Sequence, residues 1–80
     1  MNLTEAKDSL DRYINHGIAP GSFLRAVLEN NLYNAINFGD ADSLENLNSI
    51  CLYIYNYLPG NSWGSKETVR AWVAKFYNKK

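Results

Sequence analysis

The apolar positions of this chain recur at helical intervals. Leu3, Ala6, Leu10, Tyr13, Ile14 and Gly17 share one helical face and predict a first helix from about Glu5 to His16. Thr4 is its expected N-cap, and Glu5 sits in the first turn, where the helix dipole favours an acid. Gly17 is the expected stop, because glycine takes the left-handed conformation that ends helices. A second helix starts near Pro20, which suits a first helical position, or takes Ser22 as its cap. It runs through Phe23, Leu24, Val27, Leu28 and Leu32. Asn30-Asn31 marks a kink or break, and Leu32 to Phe38 adds a turn or two before Gly39. A third helix is predicted from Asp40, Asp42 or Ser43 to Leu58, ahead of Pro59-Gly60. Ser65 caps a fourth, which carries Val69, Trp72, Val73 and Phe76 and ends at Lys79-Lys80. Strand-like alternation is absent. The fold class is therefore all-α: a compact bundle of about four helices forming one domain over residues 1–80.

The third helix changes this picture. Its first half is amphipathic, through Leu44, Leu47, Ile50 and Cys51. Its second half, Ile50 to Leu58, is apolar around nearly the whole circumference. A helix that is apolar all round is buried all round. An 80-residue domain is too small to bury it so alone. A second surface is implied, most economically another copy of the chain. The other devices of small folds are missing. Cys51 is the only cysteine, so no intrachain disulfide forms, and in an apolar run it reads as a buried hydrophobe in a reducing compartment. One histidine and one cysteine, unclustered, do not make a metal site.

Charge and hydropathy exclude further classes. The chain is formally neutral but uneven: residues 1–58 carry three bases against seven acids, and residues 59–80 five bases against one acid. That admits an anionic ligand near the C-terminal part and argues against a duplex nucleic-acid partner, which would call for a basic domain. The longest apolar run, Ile50 to Leu58, is too short to cross a bilayer. The polar start MNLTEAKDSL is unlike a signal peptide. No phosphate-loop, dinucleotide or zinc-protease motif is present, and no cofactor is called for. His16 stands at a helix end without a visible catalytic partner, so it reads as a cap or surface residue and not a general base; beside Gly17 at the junction it is counted among the candidate ligand-binding residues.

Two segments carry candidate binding chemistry. At the junction Gly17-Ile18-Ala19-Pro20-Gly21-Ser22-Phe23-Leu24-Arg25, the first-turn N–H groups at Gly21, Ser22 and Phe23 point outward and favour an anion. Ser22 adds a hydroxyl, Arg25 a bidentate donor one turn on, and Gly21 room for close approach. The alternative is a plain interhelical turn with its cap. The loop Asn61-Ser62-Trp63-Gly64-Ser65 repeats the pattern, with Ser65 at a helix start and Arg70 nearby. Trp63 either stacks on a base or staples the loop to the core. Tyr13, one turn before the junction, is the tyrosine best placed for a ligand. The alternating Tyr53, Tyr55 and Tyr57 cannot share one helical face and suit core and interface use.

The stretch from His16 to Leu32, with Tyr55-Asn56-Tyr57-Leu58-Pro59, Trp63-Gly64-Ser65, Val69 and Trp72, resembles a group of small phage proteins. Their pattern is HGxxxGxFLxAVLxNDL followed by GSxxxVxxW. The likeness spans roughly residues 13–73. Members resemble the anti-CBASS sponges, helical homo-oligomers that sequester cyclic oligonucleotide signals of host antiphage immunity without cleaving them. The resemblance implies a non-enzymatic protein acting in the cytoplasm of an infected bacterial cell, with ligand pockets between protomers. It implies that Tyr13 lines the pocket or stacks a base, that Gly21, Ser22 and Arg25 hold phosphate, and that Arg70 serves a second anionic pocket. The chain departs from the pattern at Asn31, where an aspartate is expected, and at Asn37-Phe38-Gly39-Asp40, which replaces a more basic turn. Two other readings stay open. One is a protein–protein inhibitor of a host defence enzyme, docking through exposed tyrosines. The other is a small helix-turn-helix regulator, with Val69, Trp72 and Val73 leaving few side chains to read bases.

Overall fold

The computed structural model describes residues 1–77, and six α-helices account for most of them. They are α1 (Leu3–His16), α2 (Ser22–Leu28), α3 (Leu32–Phe38), α4 (Ala41–Glu45), α5 (Leu47–Tyr57) and α6 (Lys66–Tyr77). A 3₁₀ turn, Gly60–Ser62, precedes α6. The described residues contain no strand. The all-α expectation holds. The count of about four rises to six because two asparagine positions interrupt what the apolar spacing joins. The expected end at Lys79-Lys80 lies outside the described residues.

The boundaries follow local hydrogen bonding. The N-cap of α1 is Asn2, two residues before the expected Thr4. Asn2 Oδ1 accepts from the Glu5 amide at 2.8 Å, and Glu5 Oε1 accepts from the Asn2 amide at 2.9 Å. This capping box satisfies two donors where Thr4 would satisfy one. Gly17 ends α1 at φ 69°, its amide donating to the Tyr13 carbonyl. Helix α2 starts at Ser22 with Gly21 as N-cap, so Ser22 is the first helical residue and not the cap. Asn30 takes φ 60°, and the Asn30 and Asn31 amides bond to the Val27 and Ala26 carbonyls. That is a Schellman motif built on asparagine, which tolerates left-handed backbone better than branched residues do. Asn31 Oδ1 then caps α3 at the Asn34 amide. Between α4 and α5, Asn46 Nδ2 donates to the Asp42 carbonyl at 2.8 Å. The Asn46 amide donates to the same carbonyl at 3.2 Å, so side chain and backbone share one acceptor, which weakens and bends the helix at this turn.

The core is one cluster: Ala6, Leu10 and Tyr13 from α1, Phe23, Leu24, Ala26 and Leu28 from α2, Ala35 from α3, Ile50 and Ile54 from α5, Leu58, and Val69 with Trp72 from α6. Two hydrogen bonds tie it across the chain. The Tyr13 hydroxyl donates to the Ser62 carbonyl at 2.7 Å, and Trp72 Nε1 donates to the Tyr13 carbonyl at 3.0 Å. The Gly64 amide donates to the Leu28 carbonyl at 2.7 Å and pins the loop to the end of α2. Cys51, expected to be buried, is exposed, because α5 turns only the Ile50 and Ile54 side inward. No helix among the described residues is long and apolar enough to cross a membrane.

Burial gives Tyr13 a measurable signature. Loss of solvent, and secondarily the Glu29 charge, pushes its pKa up to about 12. The folded state holds this proton after the unfolded chain releases it near pH 10. Its contribution is therefore complete below pH 10 and lost as pH climbs to 12. Two units correspond to about 3 kcal/mol. We expect urea-unfolding stability to fall over that window in the wild type, and Tyr13→Phe to lose the Tyr13 part of the slope. At neutral pH the variant leaves the Ser62 carbonyl without this partner and costs about 1–3 kcal/mol.

Candidate functional site: a cleft between two arginines

The C-terminal side of α2 and the middle of α6 lie across a shallow cleft of about 270 Å³. Its floor is apolar: Ala19 from the α1–α2 junction, and Val69, Val73 and Ala74 from α6. Its two charged members are Arg25 and Arg70. Their convergence follows from two periodicities. Phe23, Leu24, Ala26 and Leu28 turn inward from α2, which leaves Arg25 outward. Val69 and Trp72 turn inward from α6, which leaves Arg70 at the rim. The junction contributes Ala19 to the lining, and the neighbouring Pro20 is buried.

The two guanidinium groups differ. Arg25 Nε lies 3.1 Å from Glu29 Oε2, a pair four residues apart on α2. The arginine side of that pair is 47 % exposed and the glutamate side 14 %, so Arg25 keeps about half of its surface free for another partner. Arg70 has no ion-pair partner among the described residues. Two positive groups thus border an apolar floor, with Glu29 paired to one of them outside the lining, an arrangement that accepts an anion with a hydrophobic or aromatic body.

The other predicted site residues divide. Gly21 and Ser22 are exposed beside the junction, and the space above Gly21 is open. Neither lines the cleft, and α2 has only seven residues to build its dipole. His16 is exposed in the last turn of α1, outside the cleft. Phe23 is a core residue whose ring faces Gly39, where a Cβ would sit 2.9 Å away. Tyr13 is wholly buried, with its hydroxyl and its carbonyl both bonded, so it has no face for a base. The expected pocket role of Tyr13 is corrected to a core role. Substituting it tests folding rather than binding.

The second predicted pocket does not assemble. The Ser65 hydroxyl accepts from the Thr68 amide at 3.1 Å and shares a hydrogen bond with Thr68 Oγ1 at 2.8 Å, so it is occupied as the N-cap of α6. Trp63 faces away from Arg70. It meets Tyr55 edge-on, 6.1 Å between centroids, and lines a separate cavity of about 300 Å³ with Val27, Asn30, Cys51 and Leu52. Its Nε1 is buried with no acceptor. Arg70 instead joins Arg25. Ala19, Val69, Val73 and Ala74 are the lining residues that sequence reasoning did not assign to a site. The i, i+4 steps from Val69 to Val73 and from Arg70 to Ala74 were a visible signal; the approach of Ala19 was not.

Reactive groups are sparse around the cleft. The carboxyl of Asp40 is held below its usual range by hydrogen bonds from Ser43, which describes a helix cap. Partial burial pushes the Cys51 thiol up, away from the thiolate a nucleophile needs. No group of three metal-ligating side chains occurs among the described residues. The chain matches no family model, no curated protein and no solved structure.

Proposed function

We propose that this chain is a non-enzymatic binding protein that sequesters cyclic di- or trinucleotides through the Arg25–Arg70 cleft. The observation that carries the reading is the meeting of two arginines, distant in sequence, over an apolar floor. A cyclic oligonucleotide offers two or three phosphates on a rigid ring with apolar base faces. The guanidinium forks fit the phosphates, and Ala19, Val69 and Val73 fit a base or sugar edge. At about 270 Å³ the cleft takes one edge of such a ring. A sponge needs affinity and copy number only, and each tenfold in affinity needs about 1.4 kcal/mol.

Calorimetry of the wild type against cyclic di- and trinucleotides, with linear dinucleotides as controls, tests this. Saturable binding of at least one cyclic species, tighter than its linear counterpart, is expected. Absence of heat and of thermal stabilisation with every cyclic species overturns the proposal. One observation favours the inhibitor reading: Tyr33, Tyr55, Tyr57 and Tyr77 are all more than two-thirds exposed. That reading requires a protein ligand and no small one.

A further inference from the structure

The face of α6 that borders the arginine cleft continues beyond it. Val69, Arg70, Val73 and Ala74 are the residues α6 gives to the lining. They stand at i, i+1, i+4 and i+5 and cover an arc of about 140° around the helix. Tyr77, three residues past Ala74 and four past Val73, falls near the middle of that arc. It stands one turn beyond the lining and is 72 % exposed. The Cα–Cβ bond of a helical residue tilts toward the N-terminus of the helix, which directs Tyr77 toward the turn that holds Val73 and Ala74.

Two further observations single out this residue. The α1–α2 junction runs toward the same end of α6: Gly17 lies against Phe76, Ala19 lines the cleft, and Ile18 between them is 48 % exposed. The apolar floor therefore extends past Ala74 toward Tyr77. The other tyrosine rings are also largely engaged. Tyr13 packs on Trp72, Tyr53 on Tyr57, and Tyr55 meets Trp63. Tyr33 and Tyr77 have no aromatic neighbour among the described residues, and of the two only Tyr77 is carried by a helix that lines the cleft.

We propose that Tyr77 is the base-stacking residue of this site. Arg25 and Arg70 take a phosphate, and the nucleobase joined to that phosphate through its sugar lies on the Tyr77 ring. Arg70 and Tyr77 are seven residues apart, about 10 Å along α6, and their side chains narrow the gap to the scale of one nucleotide. A tyrosine ring gives a large contact area for the ordering of only two side-chain torsions, and it accepts any base because every base has a π-face. The inference rests on the nucleotide reading of the cleft and adds what that reading lacked once Tyr13 proved to be buried: an aromatic surface within reach of the arginines. It separates nucleotides from bare anions, since pyrophosphate can use the guanidinium groups and has nothing to place on the ring.

Titration calorimetry with cyclic di-AMP, cyclic tri-AMP and inorganic pyrophosphate tests it on the wild type, Tyr77→Ala, Tyr77→Phe and Tyr33→Ala. Tyr77→Ala is expected to weaken the tighter cyclic species about ten- to hundredfold, the loss that removing one stacked base brings. Tyr77→Phe keeps the ring and is expected to stay within about threefold of the wild type, as is Tyr33→Ala on α3. Pyrophosphate should bind more weakly than the cyclic species and equally to all four chains. Stacking also lowers the ultraviolet absorbance of the bound base, so hypochromism is expected with the wild type and Tyr77→Phe and not with Tyr77→Ala. Tyr77 is exposed, so circular dichroism of Tyr77→Ala should be unchanged. Unchanged affinity in Tyr77→Ala, or a loss in Tyr77→Phe as large as in Tyr77→Ala, overturns the proposal and leaves the nucleotide reading standing. A wild type that binds neither cyclic species overturns the proposal together with that reading for these ligands.

Discussion

Gly17→Ala is expected to lower the melting temperature by about 15–25 °C, corresponding to roughly 2–5 kcal/mol for a domain of this size. Two independent costs meet at one position. The backbone at φ 69° is left-handed, which a side chain opposes by about 1–2 kcal/mol. The added Cβ would also lie 2.5 Å from the ring of Phe76, so the ring must move. Displacing a packed aromatic costs another 1–3 kcal/mol or so. Total stability for 80 residues is on the order of 4–12 kcal/mol, so a large part is at stake. Gly21→Ala is the internal control. Its φ is −65° and a Cβ there meets nothing within 4 Å, so a few tenths of a kcal/mol or about 1 is expected, from the poorer cap. Thermal melts by circular dichroism read both. Repeating Gly17→Ala in a Phe76→Ala background removes the ring contacts at 2.5 Å but keeps the residue-76 Cβ at 2.6 Å, so the loss should shrink while staying above the strain of about 1–2 kcal/mol alone. An equal loss in both backgrounds would show that the Phe76 ring is not the obstacle.

The two glycines of one HGxxxG stretch therefore do different work, and the sequence distinguishes them only in part. Gly17 as a helix stop was legible, because an apolar face ends there and glycine supplies the left-handed residue. Its contact with Phe76, 59 positions away, was not. Element type was legible nearly everywhere for the same reason: apolar spacing reports one buried face per helix. The errors arose where side chains bond locally. Asn2 with Glu5 outcompeted Thr4, and Asn46 split one expected helix into two. Asparagine is common enough in loops and helices that its position alone does not announce a cap or a break.

The site was less legible than the fold. Arg25 and Arg70 were each selected, but as members of two pockets, because proximity along the chain paired Arg25 with Ser22 and Arg70 with Trp63. Tertiary packing pairs the arginines with each other. Tyr13 misled because one turn before a junction is also one turn from the core, and its hydroxyl finds the Ser62 carbonyl there. The apolar circumference of the third predicted helix is only partly covered within the chain: Ile50 and Ile54 are buried, and Leu52, Tyr55 and Tyr57 stay exposed.

Arg25→Ala and Arg70→Ala are each expected to weaken binding of the cyclic nucleotide about 10–100-fold, since a hydrogen bond to a charged group is worth about 1.5–3 kcal/mol and tenfold needs about 1.4. Both side chains are exposed, so melting temperatures should move little. The doubly substituted chain should retain at most a trace of affinity, and rising salt should weaken the wild type more than either single variant. Glu29 provides the test of sign. Its carboxylate lies 3.1 Å from Arg25 and competes with a phosphate for the same guanidinium. Glu29→Gln removes that competitor and one repulsive charge, so affinity is expected to rise a few-fold, while the lost pair, whose arginine is half exposed, costs about 1 kcal/mol or less of stability. Titration calorimetry on the four variants separates this cleft from any other anion site. Binding that survives in the double variant places the ligand elsewhere. Binding that weakens in Glu29→Gln would mean that the ion pair orients Arg25 toward the ligand instead of withholding it.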